Sequence, residues 1–233
     1  MIKKHIPNSI TLLNISSGVV AILLATQGKL QEAAIMVVMA SVFDFFDGFA
    51  ARLLHVKSNI GKELDSLSDV VSFGVAPSMI MYFLLCETGI YSPVFYEIAV
   101  LPAFIALLFP CFVALRLAKF NVDERQTTVF FGLPSPAAAF VLISLPFFPQ
   151  FACSFYIYTL IILSLCVLML SDIQLFSLKF TTYNIKDNIF RYILLIFALF
   201  LLLFLKERSL PFIILTYILL SMIYNVQNRL REK

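Results

Sequence analysis

Asp44-Phe-Phe-Asp47-Gly48-Phe-Ala-Ala51-Arg52, then eight residues to Gly61, three to Asp65 and three to Asp69, is the stretch that decides how this chain folds. It places four carboxylates within 26 positions of otherwise apolar sequence, in a chain holding only 14 acidic residues. Asp44 and Asp47 are three apart and Asp65 and Asp69 four apart, so on helices each pair projects from one face. The short link 53–61 brings the second helix back antiparallel to the first, which lets the pairs converge. An ionised carboxylate at bilayer depth is costly and needs a partner or a wet cavity. Four like charges repel unless they are protonated or bridged by cations, and all-oxygen ligands favour Mg²⁺, Mn²⁺ or Ca²⁺ over Zn²⁺. The alternative is a solvated cluster at helix ends, paired with Arg52, Lys57 and Lys62. Two pairs facing each other at one end favour the divalent-metal site.

Outward from this stretch, the composition requires a membrane. Of 233 residues 61% are hydrophobic and 13% charged, and the mean hydropathy is +0.96. A water-soluble domain is about a quarter charged, so this chain could not cover its surface with polar groups. A crossing helix needs about 20 apolar residues. Apolar stretches predict helices over 6–27, 31–55, 62–86, 94–119, 134–150, 154–171, 188–205 and 209–227. Helices are required rather than strands, because no alternating barrel pattern is present and hydrocarbon leaves backbone groups nothing else to bond. The expectation is an all-α polytopic membrane protein of about eight transmembrane helices, with no separate soluble domain. Lys3 and Lys4 before an apolar run resemble a signal peptide. Asn8, Asn14, Ser16 and Ser17 interrupt that run and no A-x-A site follows, so it reads as a retained span.

The basic residues mark one face. With the amino terminus cytoplasmic, 14 of the 17 Lys and Arg fall on that side and only Lys29, Lys206 and Arg208 opposite. This predicts both termini on the cytoplasmic side of the cell inner membrane. No basic run with interleaved exposed aromatics points to nucleic acid. Cys86, Cys111, Cys153 and Cys166 lie in or beside apolar stretches without C-x-x-C spacing and read as small hydrophobes. His5 and His55 have no metal-ligand partner at helical spacing. Pro7, Asn8, Thr11 and Asn14 open the first helix with a polar stripe every three residues. That stripe either bonds a nucleotide or glues helices together.

The carboxylate stretch matches without departure the D-x2-D-G-x2-A-R-x8-G-x3-D-x3-D signature of the CDP-alcohol phosphatidyltransferases, and the chain is identified as a member of that family. The resemblance implies that Asp44, Asp47, Asp65 and Asp69 hold two divalent ions, Mg²⁺ or Mn²⁺, and that Asp69 is the general base. It places Asn8, Thr11, Gly48, Arg52 and Ser58 at the CDP-diacylglycerol, with Gly48 allowing close approach and Arg52 forking onto phosphate. Helix packing for Gly48, a topology anchor at a helix end for Arg52 and helix capping for Ser58 stand as their structural alternatives. The resemblance also implies a homodimer.

Residues 61–77, Arg116-Leu-Ala-Lys119-Phe-Asn121 and Phe131-Gly-Leu-Pro134-Ser-Pro136 are similar to the branch of the family that accepts serine. That branch implies L-serine as the second substrate; a zwitterion needs a cation for its carboxylate, which Arg116 or Lys119 could supply with Asn121 nearby, and an ordinary cytoplasmic helix end is the alternative for both. The expected organisation is a core over 1–171 with about six transmembrane helices and an extension over 172–233 with about two. Phe73, Gly74 and Pro77 follow the last Asp and either kink or widen the helix there or serve helix packing, two accounts that the sequence leaves open. Two rivals stay open at this point: glycerol 3-phosphate as acceptor, and a cation transporter using the same acids. The lack of internal or inverted repeats counts against the transporter.

Overall fold

The computed structural model describes residues 5–56, 58–88, 100–122, 129–148, 155–176 and 188–231. The expected carriers of charge at Lys3, Lys4, Lys57, Arg125, Lys179, Lys186 and Lys233, and Cys153, lie outside the described residues. Helices α1 (His5–Thr26) and α2 (Leu30–Leu53) pack closely, because Ala21 and Ala25 of the first and Ala33 and Ala34 of the second are small and buried at their contact. Helix α3 (Asn59–Asp69) runs without interruption into a π-helical segment, Val70–Val75, and on into α4 (Ala76–Glu87). Helix α5 (Val100–Val122) follows.

The widened segment has a local cause. Pro77 lacks an N–H and its ring crowds the carbonyl four residues back, so the ladder ahead of it is reset. The Ala76 N–H bonds five residues back, to Val71 O. A widening, one of the two accounts that the sequence leaves open around Phe73 and Gly74, is thus present. Two close approaches hold the segment. A Cβ on Gly18 would come within 2.9 Å of Ser72 Cα, and one on Gly74 within 3.3 Å of Pro110 Cα. The turn after Asp69 is therefore gripped between α1 and α5.

The second half is shorter and looser. Helix α6 (Ser135–Ser144) ends in a 3₁₀ turn at Leu145–Phe147, where Pro146 stops it. Helix α7 (Phe155–Leu170) has 16 residues and rises about 24 Å, less than the ~30 Å hydrocarbon thickness. Strands β1 (Val129–Phe131) and β2 (Gln174–Phe176) pair antiparallel. Helices α8 (Ile189–Leu205) and α9 (Leu210–Arg231) are joined by a 3₁₀ turn at Lys206–Ser209, where Lys206 has φ +49°. The Phe190 and Tyr224 rings lie 5.6 Å apart, so the two arms fold back on each other. The hairpin docks through α9: Tyr217 Oη donates to Phe176 O at 2.9 Å and Asn225 Nδ2 to Gln174 O at 2.6 Å.

The all-α membrane architecture thus stands, and the count of eight spans is not confirmed. Among the described residues five helical runs are long and apolar enough to cross a membrane, with Ser135–Phe147 and Phe155–Leu170 as two shorter apolar helices. The stretches expected at 188–205 and 209–227 are α8 and α9, which together make the run Ile189–Gln227, folded back at Lys206. The core is built from Phe73, Ile80, Phe109, Leu142, Ile162 and Met169, all buried.

Candidate active site

Two helices deliver the acids. On α2 the i, i+3 spacing brings Asp44 and Asp47 to one side, and on α3 the i, i+4 spacing does the same for Asp65 and Asp69. The Ser58 cap starts α3 where this register requires it: its Oγ accepts the Gly61 N–H at 3.2 Å. Asp44, Asp47 and Asp65 each offer one carboxylate oxygen, and these three atoms lie within 4.8 Å of one another. Asp69 sits one helical turn further along α3 and is buried, and Asp44, Asp47 and Asp65 act on it electrostatically. The set consists only of hard carboxylate oxygens, so it fits a hard divalent cation and could hold one.

Helix α1 orients these acids. Thr11 Oγ1 donates to Asp47 Oδ2 at 2.7 Å, and Asn14 Nδ2 reaches Asp69 Oδ1 at 3.5 Å. Ser68 and Ser72 donate back to the carbonyls of Thr11 and Asn14 at 3.2 and 3.1 Å. The polar stripe of the first helix therefore does join helices together, and it does so at the carboxylates. Such outer contacts fix ligand orientation.

A cavity of about 390 Å³ opens beside the cluster, within the usual size of small-ligand sites. Of the residues expected at the CDP group, Asn8, Thr11, Gly48 and Ser58 line it, next to Asp47 and Asp65. Arg52 is exposed at its edge, with Nη1 3.9 Å from the position a Cβ on Gly48 would take. Asn59 and Lys62 also line the cavity, although sequence reading singled out neither for this role. Their positions follow from the first turn of α3, which the expected start at residue 62 cut off.

The residues expected at serine are not brought together. Arg116 is buried on α5, donates from Nη1 to Ser135 Oγ at 3.0 Å and lies within electrostatic reach of Asp69. Lys119 is exposed. Asn121 Nδ2 donates to Ser66 Oγ at 2.8 Å, and the Asn121 carbonyl accepts Lys62 Nζ at 3.2 Å, so this residue ties α5 to α3. Ser135 had no signal of its own beyond lying in the Pro134-Ser-Pro136 stretch, since only the packing of α6 on α5 brings it to Arg116. His5 and His55 are exposed, away from the cluster.

Comparison with known proteins identifies the family. The sequence model described as CDP-alcohol phosphatidyltransferase matches residues 4–171. The CDP-diacylglycerol–serine O-phosphatidyltransferase of Bacillus subtilis is 36% identical over 143 residues, covering 61% of this chain and 76% of that protein. Archaetidylserine synthase of Methanothermobacter thermautotrophicus is 36% identical over 177 residues, 72% of this chain and 68% of that protein. The Mycobacterium leprae CDP-diacylglycerol–serine O-phosphatidyltransferase is 39% identical over 147 residues, and the match spans 46% of its length. With the family match covering most of its length and the carboxylate signature assembled around a cavity, this chain belongs to the CDP-alcohol phosphatidyltransferase family.

Proposed function

We propose that this enzyme transfers the phosphatidyl group of CDP-diacylglycerol to the hydroxyl of L-serine, giving phosphatidylserine and CMP. The observation that carries the reading is the placement of Asp69: one turn beyond the acids that line the cavity, and within electrostatic reach of the buried cation Arg116. The names of the bacterial relatives support serine as acceptor.

Asn8, Thr11 and Ser58 form the wall against the CDP moiety, Gly48 leaves room for its close approach, and Arg52 forks onto phosphate oxygens. Asp44, Asp47, Asp65 and Asp69 would hold two Mg²⁺ or Mn²⁺ ions. Such ions, when bound, offset the charge of the pyrophosphate and of the departing CMP. Asp69 takes the proton of the serine hydroxyl. The freed oxygen attacks the phosphorus bearing the diacylglycerol, and the bond from that phosphorus to the bridging oxygen breaks as CMP leaves. Arg116 holds the serine carboxylate; burial favours it over the exposed Lys119, and Asn121 serves the α3–α5 contact.

The reaction core is assigned to 1–171, supported by the family match ending there, and 172–233 to an extension. The active site is assigned to the cytoplasmic side of the inner membrane, supported by Arg52 and Lys62 at the cavity and Lys119 at the same end. No finding supports the homodimer that the resemblance implies, and it is not part of the proposal.

CMP release from purified enzyme with CDP-diacylglycerol and Mg²⁺ or Mn²⁺ tests the reading, with serine and glycerol 3-phosphate in parallel. Serine-dependent release is expected. Release only with glycerol 3-phosphate would overturn the acceptor, and metal flux through sealed vesicles without CMP release would overturn the enzyme.

A further inference from the structure

Two buried polar atoms beside Asp69 have no hydrogen-bond partner: Asn14 Oδ1, an acceptor, and Arg116 Nε, a donor. Asn14 is fully buried and Arg116 is 8% exposed. Buried polar groups are nearly always paired, so two orphans of opposite kind around one carboxylate call for a missing partner. They arrive from different helices. Asn14 stands on α1 with Nδ2 turned to Asp69, which leaves its Oδ1 available. Arg116 stands on α5, its guanidinium fixed by Ser135 Oγ on one side and lying 5.7 Å from the Phe120 ring centroid on the other. The close packing of α1 and α5 on the π segment after Asp69 sets the distance between them. Asn14 thus touches Asp69 and Arg116 acts on it electrostatically, and between them they hold one unpartnered acceptor and one unpartnered donor.

We propose that Asn14 is the residue that selects an acceptor alcohol carrying an ammonium group, its Oδ1 receiving that ammonium while Arg116 takes the carboxylate, and that Ser135 is a positioning residue for Arg116. This rests on the reading of serine as acceptor and adds the determinant that separates an amino acid from a hydroxy acid. Asn14 belongs to the same polar stripe as Thr11, one helical turn away, so a single helix addresses both the Asp47 carboxylate and the acceptor.

The test uses the full chain in lipid–detergent micelles, measuring CMP release with L-serine and inhibition by two truncated probes. 3-Hydroxypropanoate lacks the ammonium and ethanolamine lacks the carboxylate. A site built to bond a polar group loses strong discrimination when its own partner is removed. Asn14→Ala is expected to raise the serine KM about tenfold or more relative to the inhibition constant of 3-hydroxypropanoate, while loss of the Asn14 contact to Asp69 lowers kcat. Asn14→Ser, which keeps an oxygen acceptor, should recover part of the preference. Arg116→Gln should weaken serine and 3-hydroxypropanoate together and spare ethanolamine. Ser135→Ala should raise the serine KM more than it lowers kcat, with Ser135→Thr restoring it. If Asn14→Ala weakens serine and 3-hydroxypropanoate equally, or leaves their ratio unchanged, the assignment of the ammonium is overturned while serine turnover stands. Retained CDP-diacylglycerol binding, whatever its KM, separates either result from misfolding. Absence of serine-dependent CMP release from the unsubstituted enzyme overturns both this inference and the reading beneath it.

Discussion

The run Asn59–Glu87 and the run Ile189–Gln227 are both apolar helical stretches long enough to cross a membrane, yet 61% of the most apolar window of the first is buried in the protein and 6% of the second. The first carries Asp65, Ser68, Asp69 and Ser72, nearly all bonded to α1 or in contact with the other acids. The second turns Leu199, Leu203 and Phe204 outward, each at least 60% exposed. In a bilayer an outward Leu is already in its preferred solvent, so α8 and α9 gain little from burying it and dock through a few contacts, on β2 and from Arg208 Nε to Phe147 O. Polar side chains have no such solvent within the membrane. They must be gathered inside, where neighbouring helices satisfy them, and that gathering creates the site.

This contrast can be tested by removing what holds the buried run together. The largest effect is expected on metal removal: chelation should abolish CMP release, and Mg²⁺ or Mn²⁺ should restore it while Zn²⁺ does not. Asp69→Asn should lower kcat by about 10²–10⁴ with CDP-diacylglycerol binding retained; near-normal turnover would remove Asp69 as the base. Thr11→Val, which takes the hydrogen bond from Asp47 without touching a substrate-bonding charge, should cost about 10–100-fold in activity or in the metal concentration needed for half-maximal rate. At the other end of the scale, Leu203→Ala on the outward face of α8 should change kcat/KM by less than about twofold, the scale of ordinary surface substitutions. A loss as large as that of Thr11→Val would mean that the hairpin reaches the site, contrary to the contrast drawn here.

The two halves also differed in how far they could be read in advance. Around Asp44 to Asp69 the local spacing sufficed, because the pitch of a helix fixes which side chains share a face, and the start of α3 at the Ser58 cap left that register intact. The widening after Asp69 has an equally local cause in Pro77, although the sequence left helix packing open beside it. In the second half, α7 fills the stretch expected at 154–171, and the stretch expected at 134–150 stops early at Pro146, one of the three prolines that interrupt it. The fold at Lys206 was expected as a break between spans, but its dependence on a left-handed residue is a backbone property.

What the sequence determined by itself was the membrane setting, the helical class and the two faces that present the four acids, since each depends on composition or on neighbours a few residues away. The tertiary structure decided which partners those acids meet: Thr11 on Asp47, Asn14 and Arg116 around Asp69, Ser135 behind Arg116, and Asn121 turned to Ser66. These contacts join residues 19 to 55 positions apart. They depend on how helices rotate and approach one another, through close contacts such as Gly18 on Ser72, and no local periodicity encodes that.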